Sequence, residues 1–173
     1  MLMFNPKVFV CDIDGVMTDG KFYYNSEGKS LKVFGPDDND ALKILSNYMK
    51  IHFISGDKRG YGISRKRIHE DMKFKIDLVS TIDRFEWISE KYNPAEVIYM
   101  GDGIFDNIVM DKVGYSIAPS NAHPFAKESA NYITKFTGGN RAVAETCLHI
   151  ITKFFKITEK EIIKNIKSKK YKI

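Results

Sequence analysis

The feature that most restricts the fold is a set of short apolar runs without a hydrophilic face. Residues 7–11, 51–54, 97–100 and 115–117 are rich in Val, Ile, Phe, Tyr and Met, and each runs into a polar or glycine-bearing segment. Runs of this kind suit strands covered on both sides. Residues 76–79 add another strand and residues 132–133 an edge strand. Between them lie helical patterns: residues 39–49 set Leu42, Leu45 and Met49 on one face, and residues 64–72, 82–92, 104–113 and 141–155 read as further helices. Asp37 or Asp38 is positioned to cap the first. Residues 21–24 and 30–34, joined by Asn25-Ser26-Glu27-Gly28, read as a β-hairpin. The expectation is an α/β fold: a doubly wound, mostly parallel sheet with a small β-hairpin insertion and no large cap domain.

At 173 residues and 43% hydrophobic content, the chain suffices for one core. Its formal charge of +5 would suggest a nucleic-acid partner, but residues 156–173 hold seven lysines and two glutamates, leaving residues 1–155 neutral. The reading is a main domain over 1–155 and a basic C-terminal extension over 156–173. That extension reads first as a solvated face and second as a segment docking on a neighbouring subunit. With Tyr171 its one aromatic residue, it makes nucleic acid an unlikely partner. Cys11 and Cys147 are too few for a disulfide framework and fit a reducing compartment. Residues 1–10 lack an export-signal pattern, and no stretch reaches the roughly 18 apolar residues of a membrane span. A soluble, cytoplasmic protein without a membrane partner is expected.

Chemistry gathers where the apolar runs end. Asp12 and Asp14 follow the first run and project to the same side if the backbone stays extended. Their repulsion calls for a cation or a shared proton, and magnesium, which favours oxygen ligands, answers that need. Asp102 and Asp106 can complete the acidic cluster from another strand end. Together, Asp12, Asp14, Asp102 and Asp106 form the candidate metal set. Two carboxylates also permit divided labour: Asp12 attacks phosphorus, and Asp14 protonates the leaving alcohol and later activates water. Ser55 and the Gly56 backbone can donate to phosphoryl oxygens. Asp-x-Asp-Gly also occurs in calcium loops, but the residue that should close a 12-residue loop is Tyr23.

Asp12-Ile13-Asp14-Gly15-Val16-Met17-Thr18-Asp19-Gly20 resembles the signature of the haloacid dehalogenase-like phosphohydrolases, specifically their compact 3-deoxy-D-manno-octulosonate 8-phosphate phosphatase group. The resemblance covers residues 7 to about 150 and extends to Gly101-Asp102-Gly103-Ile104-Phe105-Asp106-Asn107, to residues 34–45 and to residues 138–145. It implies that Asp12 is the nucleophile and that Asp14 is the acid/base, contacting magnesium through its backbone carbonyl. It further implies that Ser55 binds phosphate, that Asp102 is a magnesium ligand, and that Asp106 gives indirect support. Gly56 and Asn107 join the substrate-binding candidates. The phosphate-stabilising cation falls on Arg84, with Lys73 or Lys75 as alternatives. The sequence departs from the group's pattern at Asp57, Gly103 and Arg141. The implied reaction is magnesium-dependent hydrolysis of a small acidic sugar phosphate, 3-deoxy-D-manno-octulosonate 8-phosphate-like or a nonulosonate phosphate, through an aspartyl-phosphate. The implied assembly is a homotetramer in which each protomer's Lys21 to Phe34 hairpin and C-terminal segment help shape neighbouring sites. The alternatives are a phosphatase of another small phosphorylated metabolite and a catalytically weak subunit acting as an interaction protein.

Overall fold

Alternation along each strand decides which layer its side chains enter. In β1 (Val8–Asp12) every residue is buried: Phe9 and Cys11 enter one apolar layer, Val8 and Val10 the other. β4 (Lys50–Ser55) and β6 (Val97–Met100) divide in the same way, with Phe53, Ile98 and Met100 on the first side and Ile54, Val97 and Tyr99 on the second. The computed structural model describes residues 4–171, so residues 1–3 and 172–173, the outermost parts of the two expected segments, lie outside it.

With β5 (Lys75–Leu78), β7 (Tyr115–Ala118) and β8 (Tyr132–Ile133) these strands make a six-stranded sheet in the order β5-β4-β1-β6-β7-β8, every adjacent pair parallel. α1 (Asp38–Leu45) and α6 (Ala142–Phe155) cover the first face, while α3 (Arg84–Lys91), α4 (Asn107–Met110) and α5 (Pro124–Ser129) cover the second. The sheet is thus doubly wound, as the apolar runs require. Between β1 and α1 the chain forms an antiparallel hairpin of β2 (Tyr23–Asn25) and β3 (Gly28–Leu31), and no large cap domain is present among the described residues.

Several expected elements are shorter or differently wound. α1 stops at Leu45, and residues 46–49 turn to feed β4. Asp37 precedes α1 in a left-handed conformation without capping it; its carboxylate pairs with Arg141. The basic helix begins early, as α2 (Tyr61–Arg65), and continues as a π-helical turn over Lys66–Asp71. Residues 104–106 are a turn ahead of α4. α5 has no counterpart in the expectations. Nor does α7 (Glu159–Lys167), which a Thr158–Glu161 capping box starts within the basic extension. Its Ile162 is buried in the first apolar layer, and the Tyr171 hydroxyl lies 2.6 Å from that of Tyr48. The lysines of α7 remain exposed around that apolar contact.

The loop after β1 is held by backbone approaching backbone. A Cβ on Gly138 would sit 1.8 Å from the Gly15 carbonyl oxygen, and the Gly139 N–H donates to Val16 O at 3.0 Å. Gly15 itself has φ +86°, and a Cβ there would overlap the Asp102 carboxylate. Gly138→Ala is therefore expected to destabilise the fold by about 1–3 kcal/mol, read as a lower melting temperature; a melting temperature equal to the parent's would show that the two loops do not pack this closely.

Candidate active site

β1 lies between β4 and β6, where chain order reverses direction across the sheet, and the carboxyl ends of these three strands open into one crevice. β1 delivers Asp12, the turn after it Asp14, β4 ends in Ser55, and β6 runs into Asp102. The crevice is a cavity of about 400 Å³ lined by Asp12, Asp14, Gly56, Asp57, Arg84, Asp102 and Asp106 among others, with Phe22, Ile104 and Phe105 forming an apolar rim.

Two charge groups divide the site. In the first, Arg84 is buried with Nη1 2.8 Å from Asp12 Oδ2, 2.6 Å from Asp106 Oδ1 and 2.9 Å from the Tyr99 hydroxyl. Tyr99 donates to Asp106 Oδ1 at 2.5 Å and the Gly103 N–H to Oδ2 at 2.7 Å, so both Asp106 oxygens are engaged. Asp12, Asp102 and Asp106 each place an oxygen within 4.8 Å of the others. Burial pushes the Asp12 carboxyl up to about 7, with the Asp106 charge adding and the Arg84 guanidinium opposing. Burial, and then the charges of Asp12 and Asp106, push Asp102 up to about 8. Fully ionised, these three carboxylates carry more negative charge than one arginine offsets. A hard divalent cation fits that donor set: Asp102 makes no side-chain hydrogen bond among the described residues, each Asp12 oxygen accepts one bond, from the Ile13 N–H at 2.7 Å and from Arg84 at 2.8 Å, and keeps a lone pair to offer, and Asp106 stands behind them as an anchored neighbour.

In the second group, Ser55 Oγ donates to Asp14 Oδ2 at 3.1 Å, and Lys32 Nζ lies 2.7 Å from Asp14 Oδ1. Lys32 also reaches Asp57 Oδ2 at 2.8 Å, and Lys29 meets the same oxygen at 2.5 Å. Although burial opposes it, these two ammonium groups hold the Asp57 carboxyl down at about 2. The Asp14 side chain thus lies outside the clustered carboxylates.

Asp12, Asp14, Ser55, Gly56, Arg84, Asp102 and Asp106 therefore converge. Lys75 does not: it opens β5 opposite His52, three residues below the Ser55–Leu78 pair and hence roughly 10 Å from the sheet's carboxyl edge. The placement of Lys75 at the phosphate is corrected on that ground, because it lines a separate concavity with Lys50, Lys73 and Lys91. Lys73 lies there too. Asn107 begins α4 but is absent from the cavity wall, and Arg141 pairs with Asp37 at 2.6 Å along another surface. Sequence reasoning missed Lys29, Lys32 and Tyr99. Residues 30–34 were read only as a strand, and nothing in their spacing reveals that Lys32 folds inward.

Known proteins resemble this arrangement. A family profile described as haloacid dehalogenase-like hydrolase matches residues 87–146. The 3-deoxy-D-manno-octulosonate 8-phosphate phosphatase of Escherichia coli (strain K12) is 31% identical over 150 residues, covering 83% of this chain and 78% of that protein. The crystal structure of the Yersinia pestis phosphatase of the same name superimposes with a TM-score of 0.76 at 29% identity, over 88% of this chain and 84% of that one. The Moraxella catarrhalis enzyme, solved with a magnesium ion, a phosphate ion and a KDO molecule, gives 0.74 at 26% identity over 87% and 90%.

Since Asp12 and Asp102 hold protons until about pH 7 to 8 without metal, and a metal ligand must be deprotonated, magnesium affinity must rise with pH. The melting-temperature increase caused by a fixed magnesium concentration should grow between about pH 6 and about pH 8.5. An increase independent of pH would contradict the crowding of these carboxylates.

Proposed function

The chain belongs to the haloacid dehalogenase-like hydrolases, in their 3-deoxy-D-manno-octulosonate 8-phosphate phosphatase group, and from that membership we propose that it hydrolyses a small acidic sugar phosphate with magnesium. The observation that carries this reading is the division of the site. Asp12 sits among clustered carboxylates beside Arg84, while Asp14, two residues on, is held by Ser55 and Lys32 in a separate environment. Two carboxylates with different surroundings are what nucleophile and acid/base roles need.

Magnesium held by Asp12 and Asp102, when bound, supplies the positive charge that receives the phosphate. Arg84 keeps Asp12 Oδ2 fixed, so the carboxylate has one defined orientation for attack on phosphorus. As the P–O bond to the sugar breaks, Asp14 gives its proton to the departing oxygen. It then takes a proton from the water that attacks the aspartyl-phosphate, freeing phosphate and restoring Asp12. Ser55 Oγ, on turning away from Asp14, and the Gly56 backbone donate to phosphoryl oxygens. Phe22, Ile104 and Phe105 at the rim limit water access.

The substrate follows from the relatives, which are named for an eight-carbon sugar acid phosphate. A second reading, turnover of a different phosphorylated metabolite, is favoured by one observation. The only cation lining the cavity among the described residues, Arg84, is already paired, and Asp57 stands near the phosphate side. Magnesium-dependent phosphate release should be faster from sugar-acid phosphates than from neutral sugar phosphates or nucleotides, and Asp12→Asn should lower it at least about 10⁴-fold while preserving the melting transition. Preference for nucleotides would sink the substrate class; a fully active Asp12→Asn would sink the nucleophile.

The hairpin exposes Phe22, Tyr23, Tyr24, Leu31 and Val33, each at least 44% accessible, a density of apolar surface suited to contact with further copies. The assembly is a homotetramer in which hairpins cover neighbouring sites. Sedimentation should find a tetramer that Leu31→Asp combined with Tyr24→Asp breaks apart, with loss of turnover; a fully active monomer at all concentrations would refute it.

A further inference from the structure

Lys32 is buried among three oxygens. Its ammonium group donates to Ser64 Oγ at 2.8 Å and forms ion pairs with Asp14 Oδ1 at 2.7 Å and Asp57 Oδ2 at 2.8 Å. Lys32 is absent from the cavity wall, and its side chain has no accessible surface. It follows β3, so the hairpin delivers to the site a cation that the sheet does not provide. The two Asp14 oxygens are thereby made unequal. Oδ1 is buried without a hydrogen bond among the described residues and is held by the ion pair with the Lys32 ammonium, whereas Oδ2 accepts from a hydroxyl with a single proton. Ser55 cannot donate to Asp14 and to a phosphoryl oxygen at once, so turning to phosphate frees Oδ2 alone.

We propose that Lys32 is a positioning residue for Asp14, clamping Oδ1 so that the transferable proton is carried on Oδ2. The assignment rests on the phosphatase reading above and deepens it. In the first half-reaction the Asp12–phosphorus bond forms, the phosphorus–oxygen bond to the leaving group breaks, and the proton on Oδ2 moves to the leaving oxygen. In the second, water attacks phosphorus, its proton returns to Oδ2, and the Asp12–phosphorus bond breaks. Throughout, Lys32 transfers nothing. Its work is to stop the carboxylate from rotating toward the Asp12, Asp102 and Asp106 cluster, where a cation would compete for it.

The test uses p-nitrophenyl phosphate with magnesium, because its phenolate leaves without needing a proton. Lys32→Met should retain a first-turnover release of nitrophenolate near one per site, then turn over about 10²-fold more slowly than the parent, since dephosphorylation still needs the oriented base. Lys32→Arg should recover part of that turnover, and Lys32→Met in an Asp14→Asn background should add no further loss. Removing Lys32 alone leaves Asp57 less balanced, so Lys32→Met/Asp57→Asn separates misfolding from misorientation: its turnover should stay low with a restored melting temperature. First turnover and steady turnover falling together in a folded variant, undiminished steady turnover in Lys32→Met, or recovery in the double variant would each overturn the assignment. A parent protein that releases no nitrophenolate would overturn the phosphatase reading, and this assignment with it.

Discussion

Repulsion among carboxylates governs the carboxyl edge of this sheet. Asp12, Asp102 and Asp106 bring oxygens within 4.8 Å of one another, and Asp14 and Asp57 line the same cavity. At that separation two unit charges repel by roughly 3 kcal/mol even at a dielectric of about 20. Three cations from separate parts of the chain divide the load. Arg84, at the start of α3, takes Asp12 and Asp106; Lys29 and Lys32, from the hairpin, take Asp57 and Asp14. The negative charge that Asp12 and Asp102 take on as they lose their protons is what gives a divalent cation its place.

Buried ion pairs of this kind contribute more to geometry than to stability, because desolvation offsets much of their attraction. Arg84 ties Asp12 to Asp106 and Tyr99, locking β1 to β6 and α3. Lys32 ties Asp14 to Ser64, linking β1 to the hairpin and α2. The close approach of Gly138 to Gly15, and of Gly15 to Asp102, leaves no room for the loop carrying Asp14 to shift. Surfaces away from the site, such as the exposed hairpin, are therefore mechanically connected to Asp14 through a single lysine.

The parallel sheet and its strand-end carboxylates were legible because apolar runs and the carboxyl-end rule act locally and in order. Ser55, Arg84 and Asp106 followed from the same logic and from the family pattern. The same rule, applied to Lys75, would have placed it at the wrong end of β5. Lys32 was hidden because an alternating, largely exposed hairpin says nothing about which lysine curls beneath it. α5 was missed for its six residues, although His123 accepting from the Phe125 N–H and Pro124 in the first turn are helix-start chemistry. α7 carried a readable Thr158-x-x-Glu161 box, masked by the charge of its lysines. The π-helical turn at Lys66–Asp71 has no local signature, and its one buried residue, Ile68, lies in the first apolar layer.

The central claim is that Asp12 makes the bond to phosphorus while Asp14 handles the proton. Acid-quenched mass spectrometry of Asp14→Asn, mixed with magnesium and p-nitrophenyl phosphate, whose phenolate leaves without the proton that Asp14 would give, reads this directly. One phosphoryl group on the peptide containing Asp12, persisting because the water-activating base is gone, is the predicted result. A phosphoryl group on any other residue, or phosphate release with no covalent species while turnover continues at the parent rate, would contradict it.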